Sequence, residues 1–412
     1  MSAELKRPDW VRRLNLFGPA VGDPALVVPL DPDELLSLAR RSTGLEDIGD
    51  ELWLESFRRR VCSIDTDSQA HLLGRLLARA EVLRVLQTNL RLRAAWAETP
   101  AILDEPIEQP VFVVGAPRTG TTILLELLAL DPALRAPISW EAQHPLPLGD
   151  GDDRELRMSL AEAEHELWAD IQPELMTLHE LRSDLPCECV HFMALDFAAG
   201  YWGMQYDTPG YDAWAAEQPA LTARTYAGHR RFLQTLQHGG APRPWLLKTP
   251  GHLATLTHLF AEYPDAIVVH THRDPLKFVA SAASTTRMLR WLRSDAVDPL
   301  VQGQLAEHGF GFMLTNTMAL RRSGAVPDER FVDSPYKDLI ADPVAAIRKI
   351  YEKMQRDWPA GHDERIAGYL RDKPRGKFGK HEYRFEDYGL DPAGIRETYA
   401  AYVSHYAVEQ ES

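Results

Sequence analysis

The 412-residue chain is poor in cysteine, in basic charge and in long apolar runs. Three cysteines, Cys62, Cys187 and Cys189, make no disulfide framework, so the small stapled folds of secreted proteins are excluded. Lys and Arg number 45 against 60 Asp and Glu, a formal charge of −15. That balance argues against a nucleic-acid partner or an anionic membrane surface. No uninterrupted apolar run approaches the length of a membrane span. The opening "MSAELKRPDWVRRLNLFG" carries basic residues but neither the apolar core nor the small-residue cleavage site of a signal peptide. These absences lead to the expectation of a cytoplasmic protein with no integral membrane segment. Internal repeats and low-complexity segments are also missing.

What is present is a chain long enough for a large core. Residues 31 to 97 have helical patterning. "DPDELLSLARRST" opens with Asp31 at a capping position, Pro32 in the first turn and acids early, all helix-start signals. Leu72, Leu73, Leu76, Leu77, Ala80 and Leu83 recur at three- and four-residue steps, which predicts an amphipathic stripe. The proline-containing stretch 98–110 reads as a linker into a new unit. The expected organisation is an N-terminal helical extension over 1–105 and a main domain over 106–412. A helical, aromatic-rich insertion occupies about 151–240 within it.

The remainder alternates short β-branched runs with helical patterns, which predicts an α/β fold: a parallel sheet flanked by helices. The candidate strands are "VFVVG" (111–115), "WLLK" (245–248), "AIVVHTH" (266–272) and "RFVDS" (330–334). Directly after the first comes "GAPRTGTT" (115–122), which has the outline of a phosphate-binding loop. A strand, a glycine-containing turn and a helix present backbone N–H groups to one point at the helix's positive end. Gly115 allows the tight exit from the strand and Gly120 a close approach by an anion. Thr119, Thr121 and Thr122 supply hydroxyls, and Arg118 a cation. Nucleoside-triphosphatase loops place a lysine just after the second glycine, beside a hydroxyl that holds magnesium. Thr121 stands there instead, so ATP hydrolysis fits poorly.

A second anion site is expected where the strand 266–272 ends at Arg273 and a helix begins past Asp274-Pro275. The C-terminal ends of strands are where open α/β sheets bind ligands. Ser281 lies about two helical turns further on. By itself Arg273 would serve equally well in a salt bridge to Asp274 or another nearby carboxylate.

Together the two sites resemble those of the sulfotransferases. "PRTGTT" looks like their 5′-phosphosulfate loop, with Arg118, Thr119, Gly120, Thr121 and Thr122 as donor-binding residues. Arg273 with Ser281 looks like their 3′-phosphate site. The likeness is to the bacterial, actinobacterial-type family and runs almost the whole chain. It is carried by "TGLEDIGDELWLESFRRR" (43–60), "PVFVVGAPRTGTTILLELLALDPALRAPISWEAQHPLP" (110–147), "LPCEC" (185–189), "WLLKTPGHL" (245–253), "HTHRDP" (270–275), "FVDSPYKDLIADP" (331–343) and "GKHEYRFEDYGL" (379–390). Two departures stand out: Thr119 where serine is frequent, and "DKPRGKFGK" (372–380) in place of the Arg-Lys-Gly run of animal enzymes. The second leaves open whether Arg375, Gly376 and Lys377 reach the donor.

The resemblance implies the co-substrate 3′-phosphoadenosine-5′-phosphosulfate, transfer of its sulfonate to a hydroxyl of a small, apolar acceptor, and no metal. It also implies that Glu141 acts as base, a carboxylate whose neighbour Trp140 would desolvate it. Lys248 and Arg118 would neutralise the leaving phosphate. His252 and His144 are rival bases. Cys187, Glu188, Cys189 and His191 lack the second cysteine pair of a structural zinc site. His270 and His272 share a strand face and are expected to pack beside the donor. The aromatics of 190–215 and "RMLRWLRS" (287–294) suggest an apolar acceptor pocket, although aromatics more often fill a core. Two other classes stay open, a nucleotide or metabolite kinase and a non-catalytic donor-binding protein. A homodimer is one open assembly.

Overall fold

The computed structural model describes residues 5–149, 151–178, 180–374 and 381–411. Four parallel strands form its sheet: β1 (Val111–Val114), β2 (Leu246–Lys248), β3 (Ile267–His272) and β4 (Phe331–Pro335). Their order is β2-β1-β3-β4. Each predicted strand is present within a residue of its expected bounds. β1 and β3 are buried along their whole length. Helices cover both faces, which explains why these strands are apolar runs and not alternating ones.

Side-chain alternation assigns each residue to a face. Val111, Val113, Leu246 and Val269 pack with Leu124, Leu125 and Ile347. Phe112, Val114, Leu247 and Val268 pack with Phe192, Phe232 and Tyr263 on the other side. Lys248 and Thr271 therefore belong to the face covered by the helix Thr121–Leu128. His270 and His272 share the opposite one. They share a face as predicted and pack under Tyr402 and Tyr406, with His272 stacked on Tyr406 at 3.9 Å between ring centres.

The N-terminal helices Pro32–Thr43, Glu51–Thr66 and Leu72–Glu98 form as patterned. Asp31 caps the first by accepting the Glu34 N–H at 2.7 Å. The third departs from a simple stripe. Leu76 and Ala80 face solvent, whereas Arg75 and Glu81 are buried with Val82, Val85 and Leu86. The helix is packed on several sides, so its interior holds paired charges: Glu81 accepts from Arg293 at 2.5 Å and from the Tyr206 hydroxyl at 3.0 Å.

Much of the aromatic stretch is core. Phe197, Tyr201, Trp202 and Tyr206 are buried among Trp53, Phe57 and Leu86 of the N-terminal helices. Met288 and Leu292 are likewise buried, against Val11, Leu73 and Trp168. These rings weld the extension onto the main domain. Among the described residues no helix is long and apolar enough to cross a membrane.

Candidate active site

All four strands point their C-terminal ends the same way, and each end delivers one part of the site. From β1 comes the loop 115–120, from β2 Lys248, from β3 Arg273, and from β4 Tyr336. The loop is held by close contacts. Gly115 has φ 152°, and a Cβ there would lie 2.0 Å from Thr271 Oγ1. Thr119 is fully buried. Its hydroxyl lies 2.6 Å from Thr271 Oγ1 and 2.6 Å from the Ala116 carbonyl. It latches the loop to β3 and does not offer its hydroxyl to the crevice, which refines its expected donor-binding role. Gly120, at φ 93°, caps the helix Thr121–Leu128, and its Cα faces the Tyr336 ring.

Arg118 adopts φ 67°, a left-handed conformation that costs a non-glycine residue energy and clusters at functional sites. Its side chain is exposed and makes no hydrogen bond to the described residues. Of the two hydroxyls that open the helix, Thr121 is buried and Thr122 half-buried.

Lys248 is buried at 2% exposure. Its Nζ donates to Thr122 Oγ1 at 3.3 Å and to Glu188. Both partners are needed, because a buried ammonium without acceptors is costly. The carboxylate on this lysine is thus Glu188, not Glu141. Its seat is built by backbone pairing of two loops: Cys187 N–H to Pro137 C=O at 2.9 Å, and Ser139 N–H to Leu185 C=O at 3.0 Å.

Glu141 has structural contacts instead. Its carboxylate accepts the Ile138 N–H at 3.4 Å, closing the start of the helix Ser139–Gln143, and pairs with Arg135 at 3.5 Å. Arg135 in turn lies over Trp245, at the opposite end of β2 from Lys248. The histidines are weak bases. Burial pushes His252 down to about 3, opposed by Glu188. His144 is pushed down to about 4 by burial, then by Arg84, Arg157 and Arg91. Both are neutral at physiological pH, and neither holds a proton strongly enough to suit general-base work there.

His252 has zero exposure, and its Nδ1 lies 2.7 Å from the Tyr226 hydroxyl. A nitrogen of His252, one of His229 and the sulfur of Cys189 lie within 4.8 Å of one another. Cys189 therefore groups with these two histidines and not with Cys187 and His191. His270, His272 and Asp333 form a second such group, but Arg321 already donates to Asp333 at 2.7 Å.

Arg273 is anchored by three contacts. Its guanidinium stacks over Tyr336 at 3.9 Å, and Nη1 donates to the Arg118 carbonyl at 2.7 Å. Nε and Nη2 grip Glu411 at 2.7 and 2.8 Å. The salt bridge expected for an isolated arginine here exists, but its partner is Glu411 rather than Asp274. Ser281 lies in the helix Pro275–Trp291, fully buried, with a hydroxyl that has no partner among the described residues. Arg375, Gly376 and Lys377 lie outside the described residues.

The C-terminal edge of the sheet thus brings together a phosphate-type loop without its lysine, a strand-end Lys–Glu pair and a strand-end arginine. The Sulfotransferase family matches residues 110–360, and the chain belongs to that family. It is 24% identical over 305 residues to the omega-hydroxy-beta-dihydromenaquinone-9 sulfotransferase Stf3 of Mycobacterium tuberculosis, covering 68% of this chain and 71% of that protein. The fold matches sulfotransferase STF9 from Mycobacterium avium with a TM-score of 0.82 at 28% identity, over 93% of this chain and 98% of that one. It matches sulfotransferase STF1 from Mycobacterium tuberculosis with a TM-score of 0.76 at 27% identity, over 90% and 100%. The protein is a sulfotransferase.

Proposed function

We propose that the donor is 3′-phosphoadenosine-5′-phosphosulfate and that the acceptor is a hydroxyl on a small, lipid-like molecule. The observation that carries the donor is the pairing of two cationic strand ends with the loop between them. The 5′-phosphosulfate would lie on the N–H groups of Gly120 to Thr122, with Arg118 and Lys248 beside it. The 3′-phosphate would take Arg273 and the unpartnered Ser281 hydroxyl. The acceptor class rests on the menaquinone relative.

In this reading the acceptor oxygen attacks sulfur in line, forming a new S–O bond while the S–O bond to the 5′-phosphate breaks. The acceptor's proton passes to a carboxylate, and the electron pair leaves on the phosphate. Glu188 is the proposed base, because it already shares Lys248 with the loop. Lys248 and Arg118 offset the charge that develops on the departing phosphate, where preorganised cations act most strongly. Binding and transfer need no metal. The test is transfer of labelled sulfonate from the donor to a long-chain alcohol by EDTA-stripped protein. Undiminished transfer with ATP inert is expected; activity that requires added divalent metal overturns the metal-free mechanism.

A further inference from the structure

We infer that Glu411 occupies the seat of the donor's 3′-phosphate and so makes that phosphate the entry requirement of the site; this rests on the donor reading above. The argument is one of edges. A guanidinium has one plane and a limited set of N–H directions. For Arg273, Tyr336 covers one face of the plane. The Arg118 carbonyl takes Nη1. Of the N–H groups that remain, those of Nε and Nη2 form the side-on edge, the bidentate edge that fits a carboxylate or a phosphate. Glu411 fills it with both oxygens, at 2.7 and 2.8 Å.

The carboxylate is delivered by a specific path. The chain leaves the helix Ala400–His405, stacks Tyr406 on His272 and turns at Ala407, whose φ is 47°. Lys337 pairs with Glu409, and the Glu411 N–H donates to Asp274 Oδ2 at 2.8 Å. The grip is reversible. The Glu411 side chain is 32% exposed, and the Lys337–Glu409 pair is exposed at both ends, so it contributes little.

A 3′-phosphate brings more charge than a carboxylate and displaces Glu411 from Arg273. A nucleotide carrying only a 5′-phosphate leaves Glu411 in place and gains nothing from Arg273. Glu411 is thus a specificity residue that acts by competition, and its closed fraction lowers the apparent affinity in proportion. At about 90% closure the penalty is about tenfold.

The experiment is calorimetric titration of the full chain with 3′-phosphoadenosine-5′-phosphate and, separately, with AMP. The proteins are the wild type, Glu411→Ala, Glu411→Gln, Arg273→Ala and the Arg273→Ala/Glu411→Ala double variant. The 3′-phosphorylated nucleotide is expected to bind about tenfold tighter to both Glu411 variants, with AMP unchanged and no gain from Glu411→Ala once Arg273 is gone. Unchanged or weaker binding to the Glu411 variants, with Arg273→Ala still harmful, overturns the competition and leaves the donor reading intact. No binding to any of the five overturns both.

Discussion

At the scale of single residues, the Glu188–Lys248 pair and the Glu141–Arg135 pair make different predictions from the same chemistry. Glu188→Gln should lower kcat by about 10²–10⁴-fold, the usual worth of a positioned proton acceptor, with donor binding retained. Glu141→Gln should leave kcat near wild type and cost about 1 kcal/mol of stability or less, because a glutamine oxygen still accepts the Ile138 N–H and only the ion pair to Arg135 is lost. Turnover and thermal unfolding of the two variants separate the cases; loss of kcat in Glu141→Gln alone would restore Glu141 as the base. The places of Lys248 and Arg273 at strand ends and of Arg118 in the loop are legible in the sequence because strand ends and a glycine loop are local signals. The sequence could not reveal Glu188, whose meeting with a lysine 60 positions away is arranged by pairing of the loops at 137–139 and 185–187. Glu411 and Tyr336 were invisible for the same reason. The one available hint was that an exposed-looking arginine beside a sheet needs a carboxylate.

At the scale of elements, the loop and β3 are locked together by Gly115 and the Thr119–Thr271 contact. Gly115→Ala would place a methyl 2.0 Å from Thr271 Oγ1 in a backbone conformation unsuited to L residues. It should cost about 1–3 kcal/mol or more and abolish donor binding. Gly309→Ala in the helix Pro299–Ser323 meets nothing within 4 Å and should be neutral or stabilising. Melting curves of the two variants check the contrast, and equal melting temperatures would refute the lock. The order of strands and helices was readable from alternating apolar runs and capping residues. Whether 194–206 lines a pocket or fills the core stays open in the sequence, with core the commoner case, because the two kinds of ring look alike until their neighbours are known. Here the neighbours are Trp53, Phe57 and Leu86.

At the scale of the whole molecule, buried and half-buried neutral histidines contribute to the acid limit. His252 and His144 titrate near 3 and 4 in the folded protein, below the ordinary 6.5, so the unfolded chain binds protons first as pH falls. The histidine contribution should be constant above about pH 7 and then fall below about 6.5, by up to 1.4 kcal/mol per pH unit per histidine, until the folded values are reached. His144→Gln should flatten that slope in melting curves recorded from pH 7 to 5; an unaltered slope would contradict the assignment. The central claim is that four strand ends assemble one site for a doubly phosphorylated sulfonate donor. It is tested most directly by comparing the melting-temperature rise given by 3′-phosphoadenosine-5′-phosphate with that given by AMP, in wild type and in Arg273→Ala. The account predicts a large rise with the 3′-phosphorylated nucleotide, a small one with AMP, and loss of the difference in Arg273→Ala. Equal stabilisation of the wild type by the two nucleotides would contradict it.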